Sequence, residues 1–345
     1  MKFLKDNPLG KQIPIRQSRA YKGKLVTDEG TIPENSITGT AVSVIGNTVL
    51  AETQTEKGKE FIECTVSGRV ISPHKNSTLV AVGDVIIILP EESPDEVEIR
   101  KGRVIAVEQR RTKISRRAVG KSTSEHVIAS NFEILLILAS TFQPSYNKRF
   151  IDRLIIACEI GGVKPVIGLN KTDLAKDMTF FDEDLYIYSN IQVPIYYFSA
   201  TEGTGIDEII ELTKDRTTLF FGPSGVGKST LVNRLIGDYA QRIKEISERT
   251  QKGQHTTSFV KMLDLPYGGR IIDSPGVREF AMWDVDKLNL AMHYHDFDEY
   301  YLNCKYLPCT HTHEPGCAVL KALEEGKIDA ERYESYVNIL ETLES

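Results

Sequence analysis

The spacing of apolar and polar positions changes along the chain, and the first region has the short period of β-strands. Between residues 39 and 108, apolar runs of four to eight residues are separated by turn residues. Gly46 and Asn47 stand between two such runs and predict a tight hairpin. Five short strands in about 70 residues predict a small β-barrel, and we prefer the OB-fold to an SH3-like barrel or a sandwich. The predicted strands are Thr40–Ile45, Thr48–Glu52, Phe61–Val70, Val85–Leu89 and Gly102–Val107.

Beyond residue 130, longer apolar runs alternate with segments of helical periodicity. Phe132–Ala139 and Pro165–Leu169 are almost wholly apolar, as buried parallel strands are, and a helical pattern lies between them at 147–159. This alternation predicts a doubly wound α/β domain. From about residue 279 the pattern is helical. The remaining predicted elements are strands Ile195–Phe198, Thr217–Phe221, Phe259–Leu265 and Arg270–Ile272, and a helix at Ser229–Ile236.

These patterns divide the chain into five segments. The run from Gln109 to Arg117 is strongly basic, which is typical of a solvated connector, or alternatively of an RNA-phosphate contact at the base of the barrel. The predicted segments are an arm (1–30), an OB-fold β-barrel (31–112), a basic linker (113–130), an α/β domain (131–278) and an α-helical domain (279–345).

Composition indicates the class of protein and the cellular compartment. Hydrophobic content of 41% and charged content of 26% are those of an ordinary globular protein. A formal net charge of −6 means that any nucleic-acid contact must use local basic patches. We expect no signal peptide and no membrane span. Five cysteines, three of them clustered, favour a metal site in a reducing compartment over disulfides, so we expect a cytoplasmic protein.

A phosphate-binding loop is predicted between a strand and a helix. Its glycines let backbone N–H groups approach phosphate oxygens closely. Lys228 would supply charge to the β and γ phosphates, and the Ser229 hydroxyl would bind Mg²⁺. The predicted contacts are Gly222, Pro223, Ser224, Gly225, Val226, Gly227, Lys228, Ser229 and Thr230.

The tetrapeptide Asn170, Lys171, Thr172 and Asp173 is a guanine-binding motif. Asp173 can accept hydrogen bonds from N1–H and the amino group of guanine, whereas adenine has an acceptor at N1 and would leave the carboxylate unpaired. Lys171 can cover the face of the base, and Asn170 can tie this loop to the rest of the site. The motif therefore predicts guanine in preference to adenine.

Two further features concern how this site is assembled. Ser199 and Ala200 follow a strand and fit a second base loop whose backbone amide would bind the guanine oxygen, although a simple loop is the alternative. The guanine motif precedes the phosphate loop, whereas in most GTPases it follows. One site can form from this order only in a circularly permuted GTPase.

The segments after the phosphate loop carry the candidate switch residues. Asp273 would hold Mg²⁺ through water, and the amide of Gly276 can face the γ-phosphate. A threonine in the segment 253–258 would complete the magnesium shell, and we prefer Thr257 to Thr256.

The residue after Gly276 bears on catalysis, because many GTPases have a water-orienting Gln there. Val277 cannot polarise water, so His255 is the best candidate for orienting the attacking water. An uninvolved surface histidine is the alternative. We expect slow intrinsic hydrolysis that depends on a partner.

A zinc site is predicted from a cluster of soft ligands within fourteen residues. Three thiolates and an imidazole make a closed tetrahedral set, which is structural rather than catalytic. His313 is an alternative to the histidine of this set. The predicted ligands are Cys304, Cys309, His311 and Cys317.

Together these motifs resemble the small-subunit-dependent GTPase A family (RsgA-type), circularly permuted GTPases of bacterial 30S maturation. The resemblance covers nearly all of the chain after the first 30 residues or so. It implies ribosome-stimulated GTP hydrolysis late in small-subunit maturation, rRNA contacts from the OB and zinc domains, and His255 as the catalytic candidate. The chain departs from the family pattern at Ser258, Ser274 and Val277, where Thr, Thr and Phe are usual.

The expected function is therefore that of a GTPase, with GTP or GDP, the small ribosomal subunit and its rRNA as partners, one structural Zn²⁺, and Mg²⁺ bound with GTP. We expect a monomer that has no membrane partner. An RNA-binding scaffold that holds GTP without turnover is the alternative, and Asp173 disfavours a generic ATPase. Since the segment after Gly276 leads into the zinc region, we hypothesise that loss of the γ-phosphate swings the zinc domain.

Overall fold

The structure is a computed structural model that describes residues 32–56, 58–66, 70–92, 99–117, 124–237, 260–275 and 280–343. The predicted arm lies outside the described residues. So do four of the predicted site residues, which are His255, Thr256, Thr257 and Gly276.

Five strands close into a barrel. β1 pairs with both β2 and β4, β3 pairs in parallel with β5, and β4 pairs with β5, so the order β1-β2-β3-β5-β4 returns to β1. Alternate side chains such as Ala41, Ile62 and Val104 fill the interior. This architecture confirms the OB-fold prediction. The strands are β1 (Ile37–Ile45), β2 (Thr48–Thr55), β3 (Gly58–Thr65), β4 (Val85–Pro90) and β5 (Arg100–Val107).

The structure differs from the sequence analysis after the barrel, where we expected a linker. β6 (Lys113–Arg117) and β7 (Glu125–Ser130) pair as an antiparallel hairpin. One face of the hairpin is buried, and it includes Ile114 and the carboxylate of Glu125. This carboxylate pairs with the ammonium group of the basic residue Lys113 at 2.5 Å. Arg117 N–H donates to the carbonyl oxygen of Ala281, so the hairpin also pairs with the chain a few residues after 273–276, the second predicted switch segment.

The central domain is a six-stranded sheet with helices on both faces, as predicted. The order is β10-β9-β8-β11-β13-β12, and only the β12–β13 pair is antiparallel. Every residue of β8 is buried, with Leu135 in the core of one face and Leu136 in that of the other. The elements are β8 (Ile134–Ser140), α1 (Lys148–Gly161), β9 (Lys164–Asn170), α2 (Thr179–Asn190), β10 (Ile195–Tyr197), α3 (Ile206–Thr213), β11 (Thr217–Phe221), α4 (Lys228–Ile236), β12 (Lys261–Asp264) and β13 (Arg270–Asp273).

The barrel is joined to this sheet at its β12 edge. Ser43 of β1 pairs with Lys261 of β12. Next to this pair, Lys59 of the barrel lies 2.6 Å from Asp264, and Glu52 of the barrel pairs with Arg270. In the sequence, the hairpin β12–β13 lies between the two predicted switch segments, 253–258 and 273–276, so the barrel contacts the element that lies between them.

The C-terminal domain shares its hydrophobic core with the α/β domain. Single 3₁₀ turns precede α5 (Ala318–Glu324) and α6 (Ala330–Thr342). Tyr336 of α6 and Leu154 of α1 belong to one buried cluster. A hydrophobic core is therefore continuous across the junction.

A buried arginine reinforces that junction. Arg332 of α6 is 3% exposed, pairs with Asp152 of α1 and lies 2.7 Å from Asp296. Its guanidinium group stacks over the Tyr294 ring at 4.7 Å. Separating a buried ion pair is costly, so the hypothesised swing of the C-terminal domain would have to preserve these contacts or overcome that cost. Within the described part of the chain, no helix has the length and apolarity required to span a membrane.

Candidate functional site

Asn170 joins the three loops of the predicted nucleotide site. It ends β9 and is 3% exposed. Its side-chain amide donates to the carbonyl oxygen of Val226 in the phosphate loop at 2.9 Å, and its side-chain oxygen accepts from the N–H of Ala200 at 2.9 Å. A Cβ at Gly227 would lie 2.2 Å from the Asn170 nitrogen, so the close approach requires glycine. The structure thus brings the guanine motif, the phosphate loop and the second base loop together.

Lys171 has its ammonium group fixed by backbone carbonyls. Nζ donates to Gly225 of the phosphate loop at 2.8 Å and to Phe142 and Gln143 at 3.0 and 2.5 Å, which uses all three of its hydrogens. Thr141 Oγ1 donates to the Lys171 carbonyl oxygen at 2.6 Å. The loop after β8 is therefore part of this site, which sequence analysis missed because it contains no recognised motif.

Thr172 and Asp173 lie in a single 3₁₀ turn directly after Lys171. Asp173 is exposed and has no hydrogen-bond or ion-pair partner within the residues that the structure describes. Its carboxylate is consequently available to a ligand at the open edge of the sheet.

The phosphate loop runs from β11 into α4 with two left-handed glycines. Gly225 and Gly227 have φ values of 83° and 96°, a backbone conformation that residues with a side chain adopt only with strain. Lys228 begins α4, and its ammonium group donates to the carbonyl oxygen of Ser274. Ser274 Oγ in turn donates to the Phe220 carbonyl oxygen at 2.8 Å, so the segment after β13 is anchored beside the phosphate loop.

Lys228 and Asp273 face each other without a hydrogen bond. Lys228 Nζ lies 3.8 Å from Asp273 Oδ1, and this oxygen is buried with no hydrogen-bond partner among the described residues. Burial lowers the pKa of Lys228 and raises the pKa of Asp273 despite their mutual attraction. Burial therefore disfavours the charged form of each group, an effect that an anion bound at Lys228 and a cation bound at Asp273 would offset.

Ser229 and Thr230 lie in the exposed first turn of α4, next to the phosphate loop. Pro223 and Ser224 lie in the loop itself, which starts at Gly222 against the backbone of β8. The described residues of the predicted phosphate and magnesium site thus lie next to one another in space.

The second base loop, residues 199–204, closes on itself. Ser199 N–H donates to the Thr204 carbonyl oxygen at 2.9 Å, and Gly203 N–H donates to the Ser199 carbonyl oxygen at 2.8 Å. The amides of both predicted residues, Ser199 and Ala200, thus already have partners in this structure. Thr201 N–H, directly after Ala200, has none among the described residues and is therefore free to bind a ligand.

The C-terminal cysteines and one histidine converge. The ligand atoms of the four residues lie within 4.8 Å of one another. Nδ1 of His311 lies 3.4 Å from the sulfur atoms of both Cys304 and Cys317. The alternative ligand, His313, is exposed and contacts Thr312 instead. The set Cys304, Cys309, His311 and Cys317 can hold one metal ion.

The loop that carries these ligands is ordered by hydrogen bonds. The Glu314 carboxylate accepts from the N–H of Thr310 at 2.7 Å and from the N–H of Thr312 at 3.0 Å. Burial raises the pKa of Glu314, but the hydrogen bond from the Thr310 hydroxyl, at 2.6 Å, and those from backbone N–H groups outweigh it and hold this pKa far below its usual range. The Tyr333 hydroxyl donates to the His311 carbonyl oxygen at 2.8 Å and so ties the cluster to α6.

Known proteins resemble the chain along most of its length. The family model described as RsgA GTPase matches residues 107–283. A relative from Chlorobaculum parvum, named small ribosomal subunit biogenesis GTPase RsgA, is 40% identical over 313 residues, which is 90% of this chain and 99% of the relative. The crystal structure of YjeQ from Thermotoga maritima superposes with a TM-score of 0.65 and 26% identity, covering 89% of this chain and 98% of that one. YloQ, described as a circularly permuted GTPase, shares the fold with a TM-score of 0.62 and 23% identity over 89% of this chain and 95% of its own.

Proposed function

The chain belongs to the RsgA GTPase family, and from that premise we propose that it hydrolyses GTP during maturation of the small ribosomal subunit. The observation that carries this proposal is the pair of hydrogen bonds by which Asn170 holds the phosphate loop and the second base loop against the guanine motif. That contact brings segments in permuted order together, which supports a single nucleotide site. The relatives' names supply the small subunit as the partner, and a factor of this kind would act in the cytoplasm.

Guanine recognition rests on the end of β9. The exposed Asp173 carboxylate would accept from N1–H and the amino group of guanine, and the stem of Lys171 would lie along the base because its ammonium group is already held. Adenine would displace water from the carboxylate without donating a hydrogen bond to it, which is costly. A GTPase is therefore favoured over a generic ATPase.

Phosphate binding rests on the loop and on the start of α4. The N–H groups around Gly225 and Gly227 would cradle the phosphate oxygens, and Lys228 would balance their charge. The buried Asp273 oxygen, which has no hydrogen-bond partner among the residues described, and the Ser229 hydroxyl are oxygen ligands of the type that Mg²⁺ prefers. These residues therefore fit the ion, and Thr257 is proposed to complete the shell. When bound, Mg²⁺ would neutralise charge that develops on the phosphate oxygens.

Hydrolysis requires a water molecule in line with the γ-phosphate. We assign its orientation to His255, and Lys228 would stabilise the negative charge as the bond to the β-phosphate oxygen breaks. Gly276 would offer its amide to the γ-phosphate. Since Val277 cannot polarise water, intrinsic turnover should be slow and should depend on the ribosomal partner.

A zinc ion fits the cysteine cluster. Three sulfur atoms and one imidazole nitrogen are the donors that Zn²⁺ takes in closed structural sites. Cys304, Cys309, His311 and Cys317 would hold it, and the ion would fix the loop against α6. Its role would be to stabilise the C-terminal domain.

Contact with rRNA is assigned to the barrel and the hairpin β6–β7. Arg111 is exposed, and Arg116 lies on the hairpin. These basic residues are local, because the net charge of the whole chain is negative. Local basic residues are what phosphate contact requires. The hairpin pairs with residue 281, so an RNA on it would lie close to the second switch segment.

The test is GTP turnover by the purified chain with small subunits, with large subunits and alone, each at two salt concentrations. Selective stimulation by small subunits that weakens with salt supports the proposal. If His255→Ala lowers the stimulated rate by about 100-fold, histidine orientation of water is supported. Equal, negligible turnover in all three conditions would favour the scaffold alternative.

A further inference from the structure

A side chain from the phosphate-binding helix holds the second base loop. Arg234 lies in α4, two turns after Lys228. Its Nε donates to the carbonyl oxygen of Ala200 at 2.6 Å, and Nη2 donates to the carbonyl oxygen of Thr201. Two successive carbonyls are thereby held by one planar, two-pronged donor.

Arg234 is not needed for the packing of its own helix. Leu231, Val232, Leu235 and Ile236 form the buried face of α4, whereas Arg234 is exposed on the other side. The loop is shaped to receive it, since a Cβ at Gly203 would lie 2.8 Å from Arg234 Nη1 and Gly203 has a φ of 95°. The guanidinium group therefore acts on the loop rather than on the core.

Fixing the Ala200 carbonyl also fixes a neighbouring donor. The Ala200 carbonyl and the Thr201 N–H belong to one planar trans peptide group, so they point in opposite directions. With Arg234 on the oxygen, the N–H is directed away from the guanidinium group, and it has no partner among the described residues. The preceding amide, Ala200 N–H, is taken by Asn170.

We propose that Arg234 is a positioning residue for guanine recognition, which aims the Thr201 N–H at the carbonyl oxygen of the guanine ring and slows nucleotide release. The inference rests on the proposed guanine site. The guanidinium group contacts neither Lys228 nor Asp273 and so affects binding of the base rather than the chemistry. Since α4 also begins at the phosphate loop, Arg234 links the base and phosphate halves of the site.

The test compares Arg234→Met and Arg234→Gln with the wild-type chain. A matched control is Arg216→Met, because Arg216 also donates to two successive carbonyls, those of Glu211 and Leu212 at 3.1 and 2.8 Å, but at the end of α3. The readouts are the release rate of a fluorescent GDP, the affinity ratio of GDP to 6-thio-GDP, and kcat and KM for GTP with small subunits. Sulfur accepts hydrogen bonds weakly, so the ratio reports on the bond to the ring carbonyl.

We expect Arg234→Met to release GDP about ten-fold faster, to raise KM with kcat unchanged, and to bring the affinity ratio towards one. Arg234→Gln should recover part of each effect, and Arg216→Met should resemble wild type. Unchanged GDP release and ratio in Arg234→Met, or an equal effect of Arg216→Met, would overturn the inference. Failure of the wild-type chain to bind GDP would instead overturn the proposed function.

Discussion

Asn170 and Val226 are 56 positions apart in the chain, and yet the side-chain amide of Asn170 donates to the Val226 carbonyl oxygen at 2.9 Å in the protein interior. Parallel strands make this contact possible, because β9, β8 and β11 are neighbours and all end at the same edge of the sheet. Chain order is thus immaterial to the site, provided that the strands keep their places.

Replacing Asn170 should damage binding and stability together. Asn170→Ala leaves the Val226 carbonyl and the Ala200 N–H unpaired in a buried setting, so we expect a loss of about 2–4 kcal/mol of unfolding free energy and roughly 100-fold weaker GDP binding. Chemical denaturation and calorimetry measure the two effects. Asn338→Ala is the control, because Asn338 also donates to a carbonyl, at 2.7 Å, but on the exposed side of α6. Wild-type affinity in Asn170→Ala would contradict the role assigned to this side chain.

The cysteine cluster should bind one zinc ion per chain. We expect metal analysis to find one equivalent in the wild-type chain and far less in Cys309→Ser, with a lower melting temperature because the cluster adjoins the shared core. Cys64→Ala, a buried cysteine of the barrel, should keep its zinc. Undiminished zinc in Cys309→Ser would rule out this ligand set.

The junction between the α/β and C-terminal domains should depend on Arg332. Arg332→Met leaves Asp152 and Asp296 without their buried cation, and we expect a loss of about 3–5 kcal/mol. Lys148→Met is the control, because its pairs with Asp184 and Glu331 are partly exposed and should be worth about 1 kcal/mol or less. If Arg332→Met unfolds cooperatively and with the wild-type free energy of unfolding, the junction does not rely on this residue.

The same junction should be sensitive to alkaline pH through His295. Its ring lies 3.4 Å from Glu159 and 3.2 Å from Asp298, and chiefly the hydrogen bond to Glu159 raises the pKa of His295 to about 9. The unfolded chain binds that proton only below about pH 6.5, so the stabilisation is complete below that pH and is lost as pH rises through 9. His295→Gln should flatten the stability profile between pH 6.5 and 9.

The pKa of His74 is shifted in the opposite direction to that of His295. Burial lowers its pKa, so protonation of His74 opposes folding and its effect should appear only as pH falls below about 6.5. His74→Gln should therefore leave the alkaline limb unchanged. An unaltered alkaline limb in His295→Gln would contradict the assignment to His295.

Sequence predicted those features that depend on neighbours along the chain. The continuous apolar run of β8 and the alternating strands of the barrel were recognisable because burial sets their periods. The cysteine spacing predicts the cluster of possible metal ligands, but only the fold distinguishes the ligand His311 from the exposed His313.

Features that depend on distant partners could not be predicted. The sequence predicts a linker where the hairpin β6–β7 lies, because its charged residues are typical of a solvated segment, whereas Glu125 is buried against Lys113. Arg234 resembles any exposed helix arginine until the loop 199–204 is folded against it. The core shared by Leu154 and Tyr336 likewise exists only in the assembled structure.

The central claim is that the permuted segments form one guanine site around Asp173. Calorimetry of the wild-type chain and of Asp173→Asn with GTP, ATP and xanthosine triphosphate tests it most directly. An asparagine amide can donate to the xanthine oxygen that replaces the guanine amino group. The account predicts that the wild-type chain prefers GTP by at least about 100-fold and that Asp173→Asn prefers the xanthine nucleotide. Equal binding of ATP and GTP by the wild-type chain, or an unchanged preference in Asp173→Asn, would contradict it.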